Sequence, residues 1–379
     1  MPKLAERNSA IPAGFESFFK GAPPGCIRLT VGEPDFPTPR EVVEAAKQDL
    51  DAGDTHYVAT GGKEVLVRAI QEKLKRENHL DYTLDEITVT VGAKEALVDA
   101  SLALLNPGDE VLIPAPYWPS YDPICVYAGA RAVPFGLEPN HYHPDLEAMK
   151  SAVTKRTKAI LINSPNNPTG AAYGRLELKA MVDLAVDRDL YLISDEIYEH
   201  MIYGGRSHFA VASFPGAFER TVTINGFSKA FAMTGWRFGY TAAPKELAVP
   251  MRRIHMHAVT HPASFAHRAA SVALTQCAGS VRTMVEEYDR RRKFLAKELN
   301  AVPGWRLPEP EGAFYAFPDV RKTGLSSAQV YDKLLAAGVQ VIPGHLFPRG
   351  EGYLRISYAT SMKDLQTASE RIKKTFAPA

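Results

Sequence analysis

A lysine among apolar neighbours is the residue of this sequence whose type and position suggest chemistry most directly. Lys229 lies just past a predicted strand, in the segment GFSKAFAMTGWRFGY, and Arg237 follows eight residues later. Arg237 offers a fixed fork of donors that suits a phosphate. A lysine considered alone is more often a solvated surface charge. Here, apolar neighbours would lower the pKa of the amine, and a neutral amine can form an imine. These neighbours are Phe227, Phe231, Met233 and Trp236.

Two further strand ends carry polar residues. YLISDEIY places Asp195 at the end of an apolar strand, with Tyr198 three residues on. This carboxylate either caps the next helix or holds the ring nitrogen of a cofactor protonated, and the sequence alone favours neither. AILIN continues into SPNNPTG, where the Asn-Pro pairs predict a turn and Asn167 offers an amide donor at a strand end.

Three other segments hold candidate binding residues, each with an ordinary structural alternative. TVGAKEAL places Gly92, Ala93 and Lys94 where a helix begins. Free N–H groups at such a position bind phosphate, although many strand-helix turns carry glycine. Trp118 in PYWPSY offers a flat face to a cofactor ring, but large rings more often fill a core. Arg355 in YLRISYAT needs an anionic partner, either a substrate carboxylate or an internal one.

The segments that position these residues alternate between short apolar runs and amphipathic stretches. The predicted strands are Ile87 to Val91, Glu110 to Pro114, Ala159 to Asn163, Tyr191 to Asp195 and Thr221 to Asn225. Helical spacing places two apolar sets on helix faces: Ala93, Leu97, Ala100 and Leu104, then Leu178, Val182 and Ala185. This alternation predicts an α/β fold, in which helices cover both faces of a mostly parallel sheet and ligands collect at the carboxyl ends of the strands.

From about Val281 the pattern changes to a long helix, then short strands at 312–317, 339–343 and 353–358 and a final charged helix. We predict a large domain over residues 42–280 and a smaller α+β domain formed by residues 1–41 together with 281–379. The charge run from Asp289 to Lys293 within the long helix is interpreted as a solvated face.

The composition argues against several classes of partner. The 379 residues include 44 basic and 43 acidic side chains, which give no broad attraction to nucleic acid or to an anionic membrane. The three cysteines are far apart, which argues against a disulfide framework or a CxxC site. The start, MPKLAERNSA, lacks the apolar core of a signal peptide, and no apolar run reaches about 18 residues. We therefore expect a cytoplasmic protein.

Taken together, these motifs resemble the class I/II aminotransferases, which depend on pyridoxal phosphate and share the fold called PLP fold type I. The similarity extends from VGEPDFPTP near the start to LRISYAT near the end, and the order of SPNNPTG, SDEIYE, SKAFAMTGWRFGY and LRISYAT is highly specific. The bacterial and archaeal aspartate aminotransferases are the most similar subgroup. The resemblance implies a mostly parallel central sheet sandwiched by helices, with a smaller α+β domain beside it.

The resemblance assigns the catalytic residues position by position. Lys229 matches the lysine that holds the cofactor as an imine, and Arg237 matches the arginine that binds its phosphate. Asp195 matches the carboxylate on the pyridine nitrogen. Tyr198 and Asn167 match the pair that hydrogen-bonds the phenolic oxygen of the ring.

The same resemblance places the cofactor phosphate. The turn formed by Gly92, Ala93 and Lys94 matches the phosphate loop of the family. The chain departs from the family at Gly226, because many relatives carry a serine three residues before the lysine. Either the phosphate loses one hydroxyl contact, or Ser228 compensates.

The substrate and a second subunit are also implied by the resemblance. Arg355 matches the arginine that clamps the substrate α-carboxylate, and Gly32 lies where the family backbone touches that carboxylate. Trp118 matches the aromatic residue stacked on the ring, and with Asn167 it is expected to contact substrate. Tyr57 matches a tyrosine that reaches the phosphate of the neighbouring subunit, so a homodimer is implied.

The implied activity is a ping-pong transamination between an L-amino acid, with aspartate or glutamate favoured, and a 2-oxo acid such as 2-oxoglutarate. In this hypothesis an amino acid displaces Lys229 from the cofactor, and the freed amine moves the Cα proton as a general base. Aromatic or aliphatic amino acids are the alternative substrates. A C–S lyase of the same fold and a cofactor-binding regulator are the alternative functions, but a regulator usually carries a separate basic module that this chain lacks.

The residues that bind the substrate side chain are left open by the sequence. Lys94 lies near the place for a distal carboxylate, yet it could instead serve the phosphate loop or the surface. Ile11 and Phe15 are candidates for an apolar lid, which would also suit aromatic or aliphatic substrates. His261 is expected near the dimer interface and is assigned no role beyond structure.

Overall fold

The computed structural model describes residues 3–11, 23–136 and 142–377. Its strands, in chain order, are β1 (Ile27–Arg28), β2 (Ile87–Thr90), β3 (Glu110–Pro114), β4 (Arg131–Phe135), β5 (Thr157–Asn163), β6 (Tyr191–Asp195), β7 (Thr221–Gly226), β8 (Gly239–Ala242), β9 (Tyr315–Ala316), β10 (Val339–Gln340), β11 (Ile342–Pro343) and β12 (Leu354–Ser357). Its α-helices are α1 (Arg40–Asp51), α2 (Glu64–Asn78), α3 (Gly92–Leu104), α4 (Tyr121–Tyr127), α5 (Leu146–Ala152), α6 (Arg175–Asp187), α7 (Lys245–Ala258), α8 (Ala266–Gln276), α9 (Ala278–Asn300), α10 (Ser327–Ala336) and α11 (Met362–Thr375).

A seven-stranded sheet forms the centre of the fold. Its strand order is β2-β8-β7-β6-β5-β3-β4, and only β8 runs antiparallel to its neighbours. All five strands predicted before residue 226 belong to this sheet, which confirms the mostly parallel α/β architecture. β4 and β8 were not among the predicted strands. β4 contains Pro134 at the sheet edge and β8 begins with a glycine, and both residues weaken a strand signal.

Helices cover both faces of this sheet, because each central strand presents apolar side chains to both sides. Along β5, Ala159 and Leu161 pack into the cluster formed with α3, α4 and α7. The alternate residues Ile160 and Ile162 pack into the cluster formed with α5 and α6. Successive side chains of a strand point to opposite faces, so a continuous apolar run requires this double cover.

The parallel arrangement brings the loops that contain the predicted site residues to one edge of the sheet. Strands β2, β3, β5, β6 and β7 point in the same direction, so their carboxyl ends share that edge. Gly92, Trp118, Asn167 and Lys229 follow four of these strands, and Asp195 is the last residue of β6. Ligand sites of open α/β sheets form at such an edge.

A second core lies beside this edge. It contains the antiparallel sheet β11-β12-β9, the parallel pair β1-β10 and apolar faces of α9, α10 and α11. The predicted strand at 312–317 shortens to β9, and the predicted strand at 339–343 divides into β10 and β11, which belong to different sheets. The division of the chain into residues 42–280 and residues 1–41 with 281–379 stays a prediction.

The charge run in α9 is only partly solvated, so its interpretation as a solvated face is wrong for two of its arginines. Arg291 and Arg292 are 6% and 3% exposed. Arg291 donates to both carboxylate oxygens of Asp35, at 2.7 and 2.9 Å, and Arg292 pairs with Glu309. A guanidinium group can be buried where carboxylates pair with it, and charge patterning along a single helix does not show such distant partners.

Among residues 3–11, 23–136 and 142–377, no helix is both long enough and apolar enough to cross a membrane.

Candidate active site

A cavity of about 380 Å³ lies between the carboxyl edge of the large sheet and the second core. Eleven of the residues predicted to bind cofactor or substrate line this cavity: Gly32, Ala93, Lys94, Trp118, Asn167, Asp195, Tyr198, Ser228, Lys229, Arg237 and Arg355. Gly92 and Tyr57, which were also predicted, do not line it. Further lining residues include Val31 and Glu33 of the N-terminal segment and Tyr315 of β9. The cavity is therefore lined by residues that are more than three hundred positions apart in the sequence.

Lys229 projects into this cavity from the loop after β7. Its Nζ donates to the carbonyl oxygen of Gly32 at 2.5 Å, and it lies 5.9 Å from the ring centroids of Tyr198 and Phe314. Desolvation of the amine, followed by the nearby charge of Arg355, lowers the pKa of Lys229 to about 8. A substantial fraction of the amine is therefore neutral near physiological pH, as nucleophilic and base chemistry require.

Asp195 is a buried carboxylate that faces the same cavity. Burial raises its pKa to about 6, although two hydrogen bonds favour the charged form. Tyr121 donates its hydroxyl to Oδ2 at 2.8 Å, and the N–H of Ile197 donates to Oδ1 at 3.3 Å. Residues 197–200 form a turn and not a helix, so the helix-cap alternative for Asp195 is wrong. Asp195 accepts a hydrogen bond from this turn and presents its carboxylate to the cavity.

Arg355 reaches the cavity from β12 and is 3% exposed. Its Nη1 donates to Oδ1 of Asn167 at 3.0 Å, and its Nη2 donates to the carbonyl oxygen of Thr30 at 2.8 Å. Its guanidinium carbon lies 4.8 Å from the ring centroid of Tyr315. Because Oδ1 of Asn167 accepts from Arg355, the amide nitrogen of Asn167 is left to donate to a ligand.

A cradle for an anion is formed where α3 begins. Gly92 has a φ of +77°, and a Cβ at this position would lie 2.6 Å from Nη2 of Arg237. The glycine therefore allows the Arg237 guanidinium to approach the first N–H groups of the helix, which is a favourable site for a phosphate. Burial, and then the charge of Arg237, lowers the pKa of Lys94, which lies in the first turn of the same helix.

Lys94 also contacts an aromatic residue that lines the cavity, Trp118. Its Nζ lies 4.9 Å from the ring centroid of Trp118, within the range of a cation–π interaction. The Trp118 ring packs edge-on against Tyr121 at 5.4 Å, which fixes its orientation next to the cavity.

The departure from the family at Gly226 has a steric reason. A Cβ at Gly226 would lie 2.9 Å from the carbonyl oxygen of Phe238 and 3.0 Å from Cα of Gly239. A serine therefore does not fit here unless β8 moves. Ser228 lines the cavity, so its hydroxyl is the available replacement donor.

Tyr57 lies outside the cavity and is 90% exposed. Its ring packs edge-on against His261, with the centroids 5.6 Å apart, and the N–H of Val58 donates to Nε2 of His261 at 3.3 Å. Nδ1 of His261 lies 2.6 Å from the carbonyl oxygen of Pro262, so this nitrogen carries the proton. His261 thus fixes the backbone next to an exposed tyrosine.

Several residues that line the cavity were not among the predicted site residues, and Tyr121, Asn163 and Tyr315 are three of them. Tyr121 binds Asp195, and Asn163 donates to the carbonyl oxygen of Asp195 while it accepts from the N–H of Asn167. Tyr315 hydrogen-bonds Tyr198. Tyr121 and Asn163 lie within or next to motifs that the sequence analysis used, so their proximity to those motifs was the available signal.

The proposed apolar lid is not formed by the described part of the N-terminal segment. None of residues 3–11 lines the cavity, so Ile11 does not cover it. Phe15 lies outside the described residues. Of the described residues near the start of the chain, Val31, Gly32 and Glu33 line the cavity.

The geometry defines a site with a desolvated amine, a buried carboxylate, an anion cradle and a buried arginine. The model of the aminotransferase class I and II family matches residues 24–372, and the chain belongs to that family. It is therefore a transaminase whose cofactor is pyridoxal phosphate. The donors described above suit the phosphate, ring nitrogen, phenolic oxygen and aldehyde of this cofactor.

Individual relatives cover almost the whole chain. An aspartate aminotransferase of Pyrococcus abyssi is 45% identical over 354 residues, which are 92% of this chain and 91% of the relative. Aromatic-amino-acid aminotransferase 2 of Thermococcus litoralis is 42% identical, over 92% of this chain and 91% of the relative. The structure of aspartate aminotransferase from Thermus thermophilus with maleate has a TM-score of 0.94 and 41% identity, and the match covers 99% of this chain and 100% of that one.

Proposed function

We propose that this enzyme transfers the amino group of aspartate or glutamate to a 2-oxo acid such as 2-oxoglutarate. The observation that carries the proposal is a third basic side chain in the cavity besides the amine of Lys229: Lys94 faces Trp118, in addition to Arg237 at the anion cradle and Arg355 in the second core. A dicarboxylate substrate needs two cations besides the one that binds the cofactor phosphate. The aspartate aminotransferases at 39–45% identity support the same substrate class.

In this proposal Lys229 holds the cofactor and later moves the substrate proton. When bound, pyridoxal phosphate supplies an electron sink for the pair released as the substrate Cα loses its proton. The Asp195 carboxylate would hold the proton of the ring nitrogen, because burial leaves it without competing water. The Lys229 amine takes the Cα proton, and its lowered pKa of about 8 suits a general base.

Other residues position the reactants. Arg355 would bind the substrate α-carboxylate through bidentate donation, and its bond to Oδ1 of Asn167 fixes the amide of that residue. Asn167 and Tyr198 would then donate to the phenolic oxygen of the ring. Trp118 would cover one face of the ring and exclude water from it.

The second candidate is an aromatic-amino-acid aminotransferase. The relative from Thermococcus litoralis is 42% identical to this chain. In addition, the cavity wall contains aromatic rings that suit an apolar side chain, among them Trp118 and Tyr121. The two candidates differ in what contacts the distal end of the substrate, so variants of Lys94 separate them.

Visible absorption tests the activity itself. The purified enzyme should show a cofactor band near ~420 nm that is lost as absorbance near ~330 nm grows on addition of aspartate. Lys229→Ala should bind the cofactor without this conversion and should lose turnover. A Lys229→Ala enzyme with near-normal transamination contradicts the proposal. Release of pyruvate and ammonia from cysteine without an oxo-acid acceptor indicates a lyase instead.

Lys94→Met tests the substrate. We expect kcat/KM for aspartate to fall by about 10- to 100-fold, with the value for phenylalanine little changed, because one charge contact to the distal carboxylate is lost. Lys158→Met is a matched control, since its Nζ lies 5.2 Å from the Tyr191 ring, away from the cavity. If pyridoxal phosphate binds more weakly while the ratio of aspartate to phenylalanine activity stays constant, Lys94 serves the phosphate and the proposal is wrong.

We also propose that the enzyme works as a homodimer in the cytoplasm, with the two domains described in the sequence analysis. The exposed ring of Tyr57 supports a dimer, because a large aromatic side chain at 90% exposure is often an interface residue. The separate cores of the large sheet and of the α9–α11 region support two domains. The three free cysteines fit a reducing compartment and support a cytoplasmic location.

A further inference from the structure

Tyr315 of β9 is a cavity residue to which the proposed mechanism gives no part. Its hydroxyl lies 2.9 Å from the hydroxyl of Tyr198, and the two rings pack edge-on at 5.8 Å. Both residues are nearly inaccessible to solvent, at 1% for Tyr315 and 4% for Tyr198. This contact connects the second core with the loop after β6.

Tyr315 is held in place from two further directions. The guanidinium carbon of Arg355 lies 4.8 Å from the centroid of its ring. Gly32 packs against its hydroxyl so closely that a Cβ at position 32 would collide with the oxygen. The backbone carbonyl of Gly32 also accepts the hydrogen bond from Lys229. Tyr315 therefore has little freedom to move away from Tyr198.

The number of available protons determines the direction of the hydrogen bond between Tyr315 and Tyr198 in the working enzyme. The Tyr198 hydroxyl has one proton, and the proposed function uses it to donate to the phenolic oxygen of the cofactor. Tyr198 then has no proton left for Tyr315, so Tyr315 must be the donor in their 2.9 Å contact. The order becomes Tyr315 to Tyr198 to cofactor. A hydroxyl that accepts a hydrogen bond becomes a stronger donor itself.

We propose that Tyr315 is a positioning residue of the active site, which donates to Tyr198 and thereby strengthens the hydrogen bond from Tyr198 to the phenolic oxygen of the cofactor. The inference rests on the proposed function, because it takes from there the contact between Tyr198 and the cofactor ring. With this role for Tyr315, strand β9, which belongs to the second core, contributes to the cofactor site.

The expected signature is a change in how the cofactor titrates. A donor at the phenolic oxygen stabilises negative charge there and favours loss of the proton that the oxygen shares with the Lys229 nitrogen. Tyr315→Phe should therefore raise the pH midpoint of the visible band by about 0.5 to 1 pH unit, which corresponds to one weakened hydrogen bond. The phenylalanine keeps the ring under Arg355 and removes only the hydroxyl.

The experiment is a double-mutant cycle read by absorbance, with four holoenzymes titrated from pH 5 to 10: wild type, Tyr315→Phe, Tyr198→Phe and the double variant. If Tyr315 acts through Tyr198, its substitution shifts the midpoint in the wild-type background and has no further effect when Tyr198 is already phenylalanine. Tyr358→Phe is the matched control. This tyrosine is fully buried in the same core and donates to the carbonyl oxygen of Ala313 at 3.1 Å, away from the cavity.

The pH midpoints of the visible band distinguish the possible outcomes. A midpoint that rises in Tyr315→Phe alone, with no change in Tyr358→Phe, supports it. Equal midpoints in wild type and Tyr315→Phe overturn it, and so does an equal shift in both Tyr198 backgrounds or in the control. Absence of a cofactor band in wild-type enzyme given pyridoxal phosphate is a different result, because it contradicts the proposed function and not the role of Tyr315 alone.

Discussion

Burial has opposite effects on the two central titratable groups of the site. It raises the pKa of the Asp195 carboxyl to about 6 and lowers the pKa of the Lys229 amine to about 8. Both shifts follow from the same cause, because a desolvated group disfavours its charged form. The groups lie on adjacent parallel strands or just past their ends, so the fold itself places an activated amine beside a buried carboxylate.

The lowered pKa of Lys229 predicts how the rate of cofactor uptake depends on pH. Only the neutral amine reacts, so the rate of pyridoxal phosphate uptake by the apoenzyme should rise about tenfold per pH unit below pH 8 and level off above it. Stopped-flow absorbance measures this rate, and Nα-acetyl-lysine in the same buffers controls for titration of the cofactor. A rate that keeps rising to pH 10, as for a solvated lysine, contradicts the prediction.

Gly92 is expected to be irreplaceable at the anion cradle. Gly92→Ala combines a φ of +77° with a Cβ that would lie 2.6 Å from Nη2 of Arg237. We expect the dissociation constant of pyridoxal phosphate to rise by about 10- to 100-fold, because the helix N-terminus and Arg237 are pushed apart. Equilibrium titration of apoenzyme measures it. Gly53→Ala is the control, since its φ is +75° but no atom lies within 4 Å of the added Cβ. Equal loss of affinity in both variants would mean that strain alone matters.

Site residues could be predicted where they lie together in one sequence motif. They could not be predicted where only the tertiary structure brings them together. Lys229 and Arg237 share one segment, and Asp195 and Tyr198 share another, so their spacing is visible in the sequence. Tyr315 is 117 residues from its partner Tyr198, and its role follows only from the position of β9 against the loop after β6. Hydrogen bonds over such distances depend on tertiary structure, about which local pattern gives no information.

At the scale of elements, α9 anchors the N-terminal segment next to the site. Arg291 binds Asp35 with two short hydrogen bonds and also donates to Glu287 of its own helix. Asp35 lies three residues after Gly32, whose carbonyl accepts the hydrogen bond from Lys229. A helix that is distant in sequence therefore fixes the backbone next to the catalytic amine.

Arg291→Met should destabilise the protein and disturb the site. We expect the free energy of unfolding to fall by about 2–3 kcal/mol, because the substitution leaves the partly buried Asp35 without its counterion. Urea unfolding measures this, and kcat/KM should fall with it. Arg290→Met is matched, since Arg290 also pairs with Glu287 but is exposed, and its substitution should leave the free energy of unfolding almost unchanged. Similar losses in both variants would show that Glu287, and not Asp35, is the partner that matters.

The elements themselves differ in how well the sequence predicts them. Long helices and buried parallel strands have strong periodic or continuous apolar patterns, so α3, α6 and the strands β5 and β6 were predicted correctly. The two-residue strands β9, β10 and β11 are too short to have a period, and their pairing depends on neighbours far along the chain. The burial of Arg291 was missed for the same reason.

At the scale of the whole molecule, the site joins two separate cores. Lys229 from the large sheet binds the backbone of Gly32, and Arg355 from the small sheet binds Asn167 across the cavity. If a substrate carboxylate binds Arg355 as proposed, it contacts a residue that is hydrogen-bonded to the loop after β5. Tyr57 is the predicted site residue that lies farthest from this role, because it is exposed and does not line the cavity of its own chain.

Hybrid dimers test whether Tyr57 acts in the neighbouring subunit. Tyr57→Ala and Lys229→Ala subunits with different tags would be co-expressed, and the heterodimer isolated. If Tyr57 serves the partner, one site of this heterodimer contains an intact Lys229 together with the intact Tyr57 of the other subunit. The heterodimer should then have about half the wild-type activity at low cofactor concentration, because one of two equivalent sites is complete. If Tyr57 serves its own subunit, neither site is complete, and activity should not exceed half that of the Tyr57→Ala homodimer.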